Sequence, residues 1–407
     1  MAGCGSVVSG AFVGTLYCYG RGIALSLIVG VDMEQQVNFA LLGCGRIARK
    51  HARTILNSVP NGRLVAVCDI QKQNAEAFGE EYEVPSFDSL DAMMAECGDT
   101  IDVVNVLTPT GMHPQHVVDV AAHGKHVVVE KPMALTLTDA ETMVQACDRA
   151  GVRLFVVKQN RYNLPVQRLH EAIQAGRFGK IVMATARVRW CRDQAYYDQD
   201  KWRGTWRWDG GVFANQASHH IDLLHWLVGD VDSVFSYTER QLVDIEAEDS
   251  GIALLRFRNG GLGVLEATTA ARPKDLEASI SIMGEKGTAE IGGYAVNELT
   301  TWQFAEPLPE DEEIRNNSNQ NPPDVYGFGH VEYLKHVVDV VLEGGPAFVD
   351  GIEGMKSLRL ISALYESAAS GKEVSLRFEP RYSRLGMKMD RRNNDLSSEL
   401  EASALYD

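Results

Sequence analysis

From residue 37 onward the chain alternates short apolar runs with longer amphipathic stretches. VNFALLG (37–43), RLVAVCD (63–69), IDVVNVLTP (101–109), HVVVEKP (126–132) and VRLFVVKQN (152–160) are near-continuous in apolar residues and rich in valine. Runs without polar alternation suit parallel strands buried on both faces. Between them, residues 46–58, 72–82, 88–96, 113–123 and 138–150 read as helices. Such strand–helix alternation predicts a doubly wound parallel sheet over residues 36–158.

The second half has a different period. A helix at about 163–175 leads into KIVMATARVRW (180–190), a long alternating strand. VDSVFSYTER (231–240), GIALLRFRNGGLGVLEATTA (251–270) and LEASISIMGEKGTAEIGG (276–293) also alternate. The turns NGG and GEKG between such runs predict antiparallel hairpins. Helices at 328–343 and 352–369 close a second domain, 159–380, and a polar tail, 381–407, follows.

The first 35 residues read as an extension outside the fold. Residues 12–31 are long enough to span a bilayer, but Arg21 sits in their middle, where a charge costs about 3 kcal/mol. No basic region precedes them, as a signal peptide would need. Met33 is therefore read as the physiological start.

Hydrophobic residues at 45% and charged residues at 23% are those of an ordinary soluble globular protein. A net charge of −16 argues against broad nucleic-acid or anionic-membrane binding. The seven cysteines are scattered without a C-x-x-C pair, which points to free thiols in a reducing cytoplasm.

Two stretches share the triplet GCG. The first, at residues 3–5, has no strand before it and no good helix after it. The second opens GCGRIA (43–48), after an apolar strand and before a helix. There Gly43 allows a tight turn, and Gly45 lets backbone approach a pyrophosphate. Cys44, Arg46 and Ile47 complete a loop whose free N–H groups face phosphates at a helix start. Asp69 ends the next strand, 21 residues after Ala48, where a carboxylate accepts from ribose hydroxyls and disfavours a 2′-phosphate. The cofactor expected is NAD.

TPTGMHP (108–114), EKP (130–132) and GGVFANQASHHIDLLHWL (210–227) follow the glycine loop in order. Together they resemble the glucose-fructose oxidoreductase/inositol dehydrogenase/rhizopine catabolism (Gfo/Idh/MocA) family, over roughly residues 37–378. The resemblance implies an N-terminal Rossmann domain and a C-terminal α/β domain with an open, mostly antiparallel sheet. That sheet often forms an oligomer interface, so a homodimer or homotetramer is expected. VVKQNRYNLPVQ (156–167), the stretch 196–224 and VYGFGH (325–330) look like the family's UDP-N-acetyl-2-amino-2-deoxyglucuronate dehydrogenases. These oxidise the C3 hydroxyl of a UDP-sugar to a ketone, in bacterial surface-polysaccharide pathways. Whether NADH is released or recycled in place stays open.

Removing a hydride from a secondary alcohol needs a proton acceptor and a donor for the developing alkoxide. Lys131 follows a buried strand, at the end of the sheet where doubly wound folds bind ligands. By resemblance, it contacts the reacting hydroxyl beside Glu130, and Thr108, Pro109 and His113 lie near the cofactor. Asn215, His219 and Asp222 fall at i, i+4 and i+7, one face of a helix. His219 aligns with the family's histidine, but Asn215 stands where many members have aspartate. The base is therefore open between Lys131 and His219.

Trp190, Trp202, Trp206 and Trp208 are interleaved with Arg187, Arg189, Arg192, Arg203 and Arg207, a local basic and aromatic patch. Such a patch suits phosphate, carboxylate and a base. Arg187 and Arg189 read as the solvent face of a strand. By resemblance, Trp202 and Arg203 line the cofactor–substrate cleft. Lys158, Asn160, Arg161, Gln216, His220 and, more weakly, Tyr326 are the expected substrate contacts. His113 and His116 lack a supporting ligand cluster, so no metal is expected. Rival readings are an inositol or free-sugar dehydrogenase, an NAD-using glycosidase on the same fold, and a non-catalytic NAD-binding regulator.

Overall fold

The structure, a computed structural model, describes residues 35–388 except 294 and 320–326. Tyr326, residues 1–34 of the expected extension with Met33, and residues 389–407 of the expected tail lie outside the described residues. Strands Val37–Leu42 (β1), Gly62–Cys68 (β2), Ser86–Phe87 (β3), Val103–Val106 (β4), His126–Val129 (β5) and Leu154–Val156 (β6) form one parallel sheet. Its order, β3-β2-β1-β4-β5-β6, is doubly wound. All four residues of β4 are buried, as its unbroken apolar run requires.

The second sheet holds Ile181–Arg189 (β7), Val231–Glu239 (β8), Ser250–Phe257 (β9), Leu262–Thr268 (β10), Glu277–Gly284 (β11), Gly287–Gly292 (β12), Glu298–Phe304 (β13) and Val374–Ser375 (β14). Its order is β13-β12-β11-β7-β10-β9-β8-β14. The two expected hairpins, β9–β10 and β11–β12, are antiparallel, and β7–β10 is the parallel exception. Alternation sends Ala253, Leu255 and Phe257 into the core and leaves Ile252 and Leu254 exposed. Helices Leu164–Gln174, Ser218–Val228 and Gly351–Ser370 share that core.

The sequence places the helix Gly329–Glu343 in the second domain. In the structure, its Tyr333, Leu334, Val337 and Val338 pack with Val37, Phe39 and Leu41 of β1 instead. The next helix, Gly351–Ser370, has Gly354 against Val156 of β6, where a Cβ would lie 2.7 Å from a Val156 methyl. The chain thus returns to the first sheet. Among the described residues, no helix is long and apolar enough to cross a membrane.

Candidate active site

A cleft of about 750 Å³ lies at the carboxyl ends of β1, β2, β4 and β5, closed on its far side by residues 190–220. At its inner end stands the glycine loop. Gly43 has φ +101°, and a Cβ there would lie 2.9 Å from the Leu107 carbonyl carbon. Gly45 precedes the helix Arg46–Ser58 with no side-chain cap, and a Cβ on it would meet nothing within 4 Å. Open space before uncapped N–H groups is what a pyrophosphate requires, so these residues fit NAD.

Asp69 is buried and lines the same cleft. Its Oδ2 accepts from Cys44 N at 2.7 Å, and its Oδ1 accepts from Gln71 N at 2.9 Å. It therefore also clamps the loop. His113 reaches the Thr108 carbonyl (2.8 Å) and the Pro132 carbonyl (2.9 Å), tying the end of β4 to the end of β5. His116 Nδ1 meets Thr108 Oγ1 at 2.9 Å. The two histidines of HPQH are thus engaged in separate hydrogen bonds.

Gly43, Cys44, Gly45, Arg46, Ile47, Thr108, Pro109, Glu130, Lys131, Trp202 and Arg203 all border this cleft, as do Asn160, Gln216, His219 and His220. Lys131 Nζ donates to the Asn215 carbonyl at 3.2 Å and to its Oδ1 at 3.5 Å. Burial lowers the lysine pKa, while Glu130 and Asp209 oppose the shift. His219 Nε2 lies 3.1 Å from Gln159 Nε2. Burial, reinforced by Lys131 and Lys158, holds this imidazole well below the usual histidine range, so it is neutral near pH 7. His220 is pushed down to about 4 by burial, with its ring edge-on to Trp190.

Two expectations change. Asn215 does not share a helical face with His219, because the helix starts only at Ser218 and Asn215 lies in the turn before it. Lys158 and Arg161 do not border the cleft. Both are buried beneath it against Asp222, with Arg161 Nε and Nη2 at 2.7 and 2.8 Å from its two oxygens. Arg161 also donates to Glu353 at 3.0 Å, and Lys158 donates to Ser357 at 2.7 Å. The basic, aromatic patch divides between two faces. Trp190, Arg192, Tyr196, Trp202 and Arg203 face the cleft, whereas Arg189 pairs with Glu266 and Glu277 on the outer face of the sheet. The guanidiniums of Arg46, Arg192 and Arg203 gather around the Tyr196 ring, 5.7, 5.5 and 4.9 Å from its centroid.

The sequence did not single out Asp209, Gln159, His51 or His330, which all touch this region. Glu130 Oε1 lies 3.1 Å from His51 Nε2 and 3.6 Å from His330 Nε2, while its Oε2 accepts from Lys131 N at 2.9 Å. Asn105 Nδ2 donates to His51 Nδ1 at 3.0 Å, so His51 Nε2 carries the proton that faces Glu130, and the cluster is a buried hydrogen-bonded chain. A histidine spacing of 279 residues gives no local signal.

The two halves correspond to two family models. Residues 37–158 match the NAD-binding Rossmann fold of an oxidoreductase family, and residues 170–376 match that family's C-terminal alpha/beta domain. The chain belongs to this family, Gfo/Idh/MocA, and is an NAD-dependent oxidoreductase. It is 44% identical to the WlbA dehydrogenase from Bordetella pertussis, solved in complex with NADH and UDP-GlcNAcA. That match has a TM-score of 0.80 and covers 85% of this chain and 99% of the other. It is 26% identical over 350 residues to D-apiose dehydrogenase from Paraburkholderia graminis, covering 83% of this chain and 89% of the relative. It is also 26% identical to scyllo-inositol 2-dehydrogenase (NAD(+)) from Bacillus subtilis, with 84% and 97% covered.

Proposed function

We propose that this enzyme oxidises the C3 hydroxyl of UDP-N-acetylglucosaminuronate to the 3-keto sugar. The observation that carries the reading is the 44% identity, over 85% of the chain, to a dehydrogenase solved with NADH and that sugar nucleotide. The cleft supports it with groups suited to the diphosphate and the base. Arg192 and Arg203, set against Trp190, Tyr196 and Trp202, offer guanidinium forks and flat rings for phosphate and base.

Gly43, Gly45 and the N–H groups that open the helix Arg46–Ser58 would hold NAD, which when bound would supply the hydride acceptor. Lys131 meets the reacting hydroxyl, and the neutral His219 offers a second group for its proton. Lys158 and Arg161 act one layer down: by pairing with Asp222 they fix the helix that carries His219.

A second reading, a polyol or free-sugar dehydrogenase, is favoured by the 26% relatives. Purified enzyme with NAD is assayed against UDP-N-acetylglucosaminuronate, UDP-N-acetylglucosamine, UDP-glucuronate, scyllo-inositol and D-apiose. NADH formation with the first is expected, at least about 100-fold above UDP-N-acetylglucosamine, scyllo-inositol and D-apiose in kcat/KM, since each of these lacks a charged group and losing a buried charged contact costs about 3 kcal/mol; UDP-glucuronate, which keeps both charges, falls between. Turnover of inositol or apiose alone would replace this reading with the second.

A further inference from the structure

Lys131 meets Asn215 through neutral oxygens only. An ammonium in a buried setting needs an opposing charge close by. Behind Asn215 stands Asp209, buried and bordering the cleft. Its Oδ1 accepts from the Asn215 side-chain amide, and its Oδ2 accepts from Gly204 N at 2.8 Å. The amide is thus held between a carboxylate on one side and Lys131 on the other. Its nitrogen is committed to Asp209, so its oxygen is turned toward the lysine.

We propose that Asp209 is a positioning residue for Lys131, setting the orientation of Asn215 and supplying, through it, the negative charge that position 215 lacks. This rests on Lys131 as the group that meets the reacting hydroxyl, and not on which sugar is bound. Four other charged or titratable groups face Lys131. Glu130 is its neighbour in the chain, Arg203 comes from the segment before Asp209, His219 from the Ser218 helix, and Lys158 from the end of β6. Arg203 also faces Asp209 and balances part of its charge. Asp209 and Glu130 hold the proton on Lys131, whereas burial and Arg203 release it.

The test is the pH profile of kcat/KM, on whichever sugar the enzyme turns over, for the native enzyme, D209N, N215D and the double variant D209N/N215D. Unfolding midpoints and NAD affinity are measured alongside. If Lys131 must lose its proton, the acid limb is its titration, and K131M lacks that limb in its residual activity. D209N moves the limb to lower pH by about 1 unit, N215D moves it to higher pH, and the double variant returns toward the native value. A folded D209N that binds NAD with an unmoved limb overturns the proposal. If D209N does not fold, an unmoved limb in N215D overturns it. Native turnover by K131M would instead remove the Lys131 reading on which it rests.

Discussion

Lys131 and Asn215 meet across the cleft, the amine 3.2 Å from the backbone carbonyl and 3.5 Å from the side-chain oxygen. One residue comes from the end of β5, the other from the turn before the helix Ser218–Val228. The contact joins the sheet that carries the glycine loop to the domain that closes over it, and it places an amine of lowered pKa beside the cofactor loop.

Lys131→Met is expected to lower kcat by about 10²–10⁴-fold, the range for a positioned acid–base group. NAD affinity, measured by fluorescence titration, should stay within about threefold, because the loop donors are untouched. Loss of NAD binding together with kcat would reassign Lys131 to the cofactor.

Arg161 and Asp222 form a buried two-pronged ion pair, with Asp222 held far below the usual carboxylate range, against burial, by Arg161 and Lys158. Asp222→Ala leaves two buried cations, so chemical denaturation should show a loss of about 3–5 kcal/mol. The pair's contribution is fully present above the unfolded aspartate pKa of about 3.9 and is lost as pH falls through the depressed folded value. Native and variant stabilities should therefore converge only in strong acid.

Glu248 lies under the turn that carries Asn215, accepting from Phe213 N at 3.0 Å and from Tyr365 Oη at 2.8 Å. Burial raises its pKa to about 7. The folded state then binds more protons than the unfolded chain between the unfolded value of about 4.3 and about 7, so this residue makes stability fall as pH rises through that window. Glu248→Gln should remove that component. The native-minus-variant difference in denaturation free energy should decline from pH 4.5 to 7.5 and level off above it; a flat difference would contradict the raised pKa.

Asp69 serves the loop as well as the expected ribose site, since its Oδ2 accepts from Cys44 N. Asp69→Ala should raise the KM for NAD about 10-fold or more and narrow the preference over NADP, because the repulsion of a 2′-phosphate is gone. The ratio of kcat/KM for the two cofactors is the measurement. An unchanged ratio would restrict Asp69 to the loop.

Five of the six parallel strands were legible because they lie in near-continuous apolar runs, whereas Ser86–Phe87 is too short to leave one; the glycine loop was legible because each glycine answers a backbone need, as at Gly43. Helical periodicity misled at Asn215, where the i, i+4, i+7 spacing ran through a turn that ends at Ala217. Arg161 and Lys158 looked like anion binders by position. Asp222, 61 residues beyond Arg161, takes both, and such long-range pairing leaves no local trace. The return of Gly329–Glu343 to the first sheet was hidden for the same reason, since an amphipathic helix does not name the face it covers.

The most direct measurement follows a labelled hydrogen. UDP-N-acetylglucosaminuronate carrying deuterium at C3 is incubated with the enzyme and NAD, and both products are weighed by mass spectrometry. Transfer of the deuterium to NADH, with a ketone at C3 of the sugar, is the expected result. A sugar that keeps its deuterium while unlabelled NADH forms, or that is not consumed while a free polyol is, would contradict the assignment.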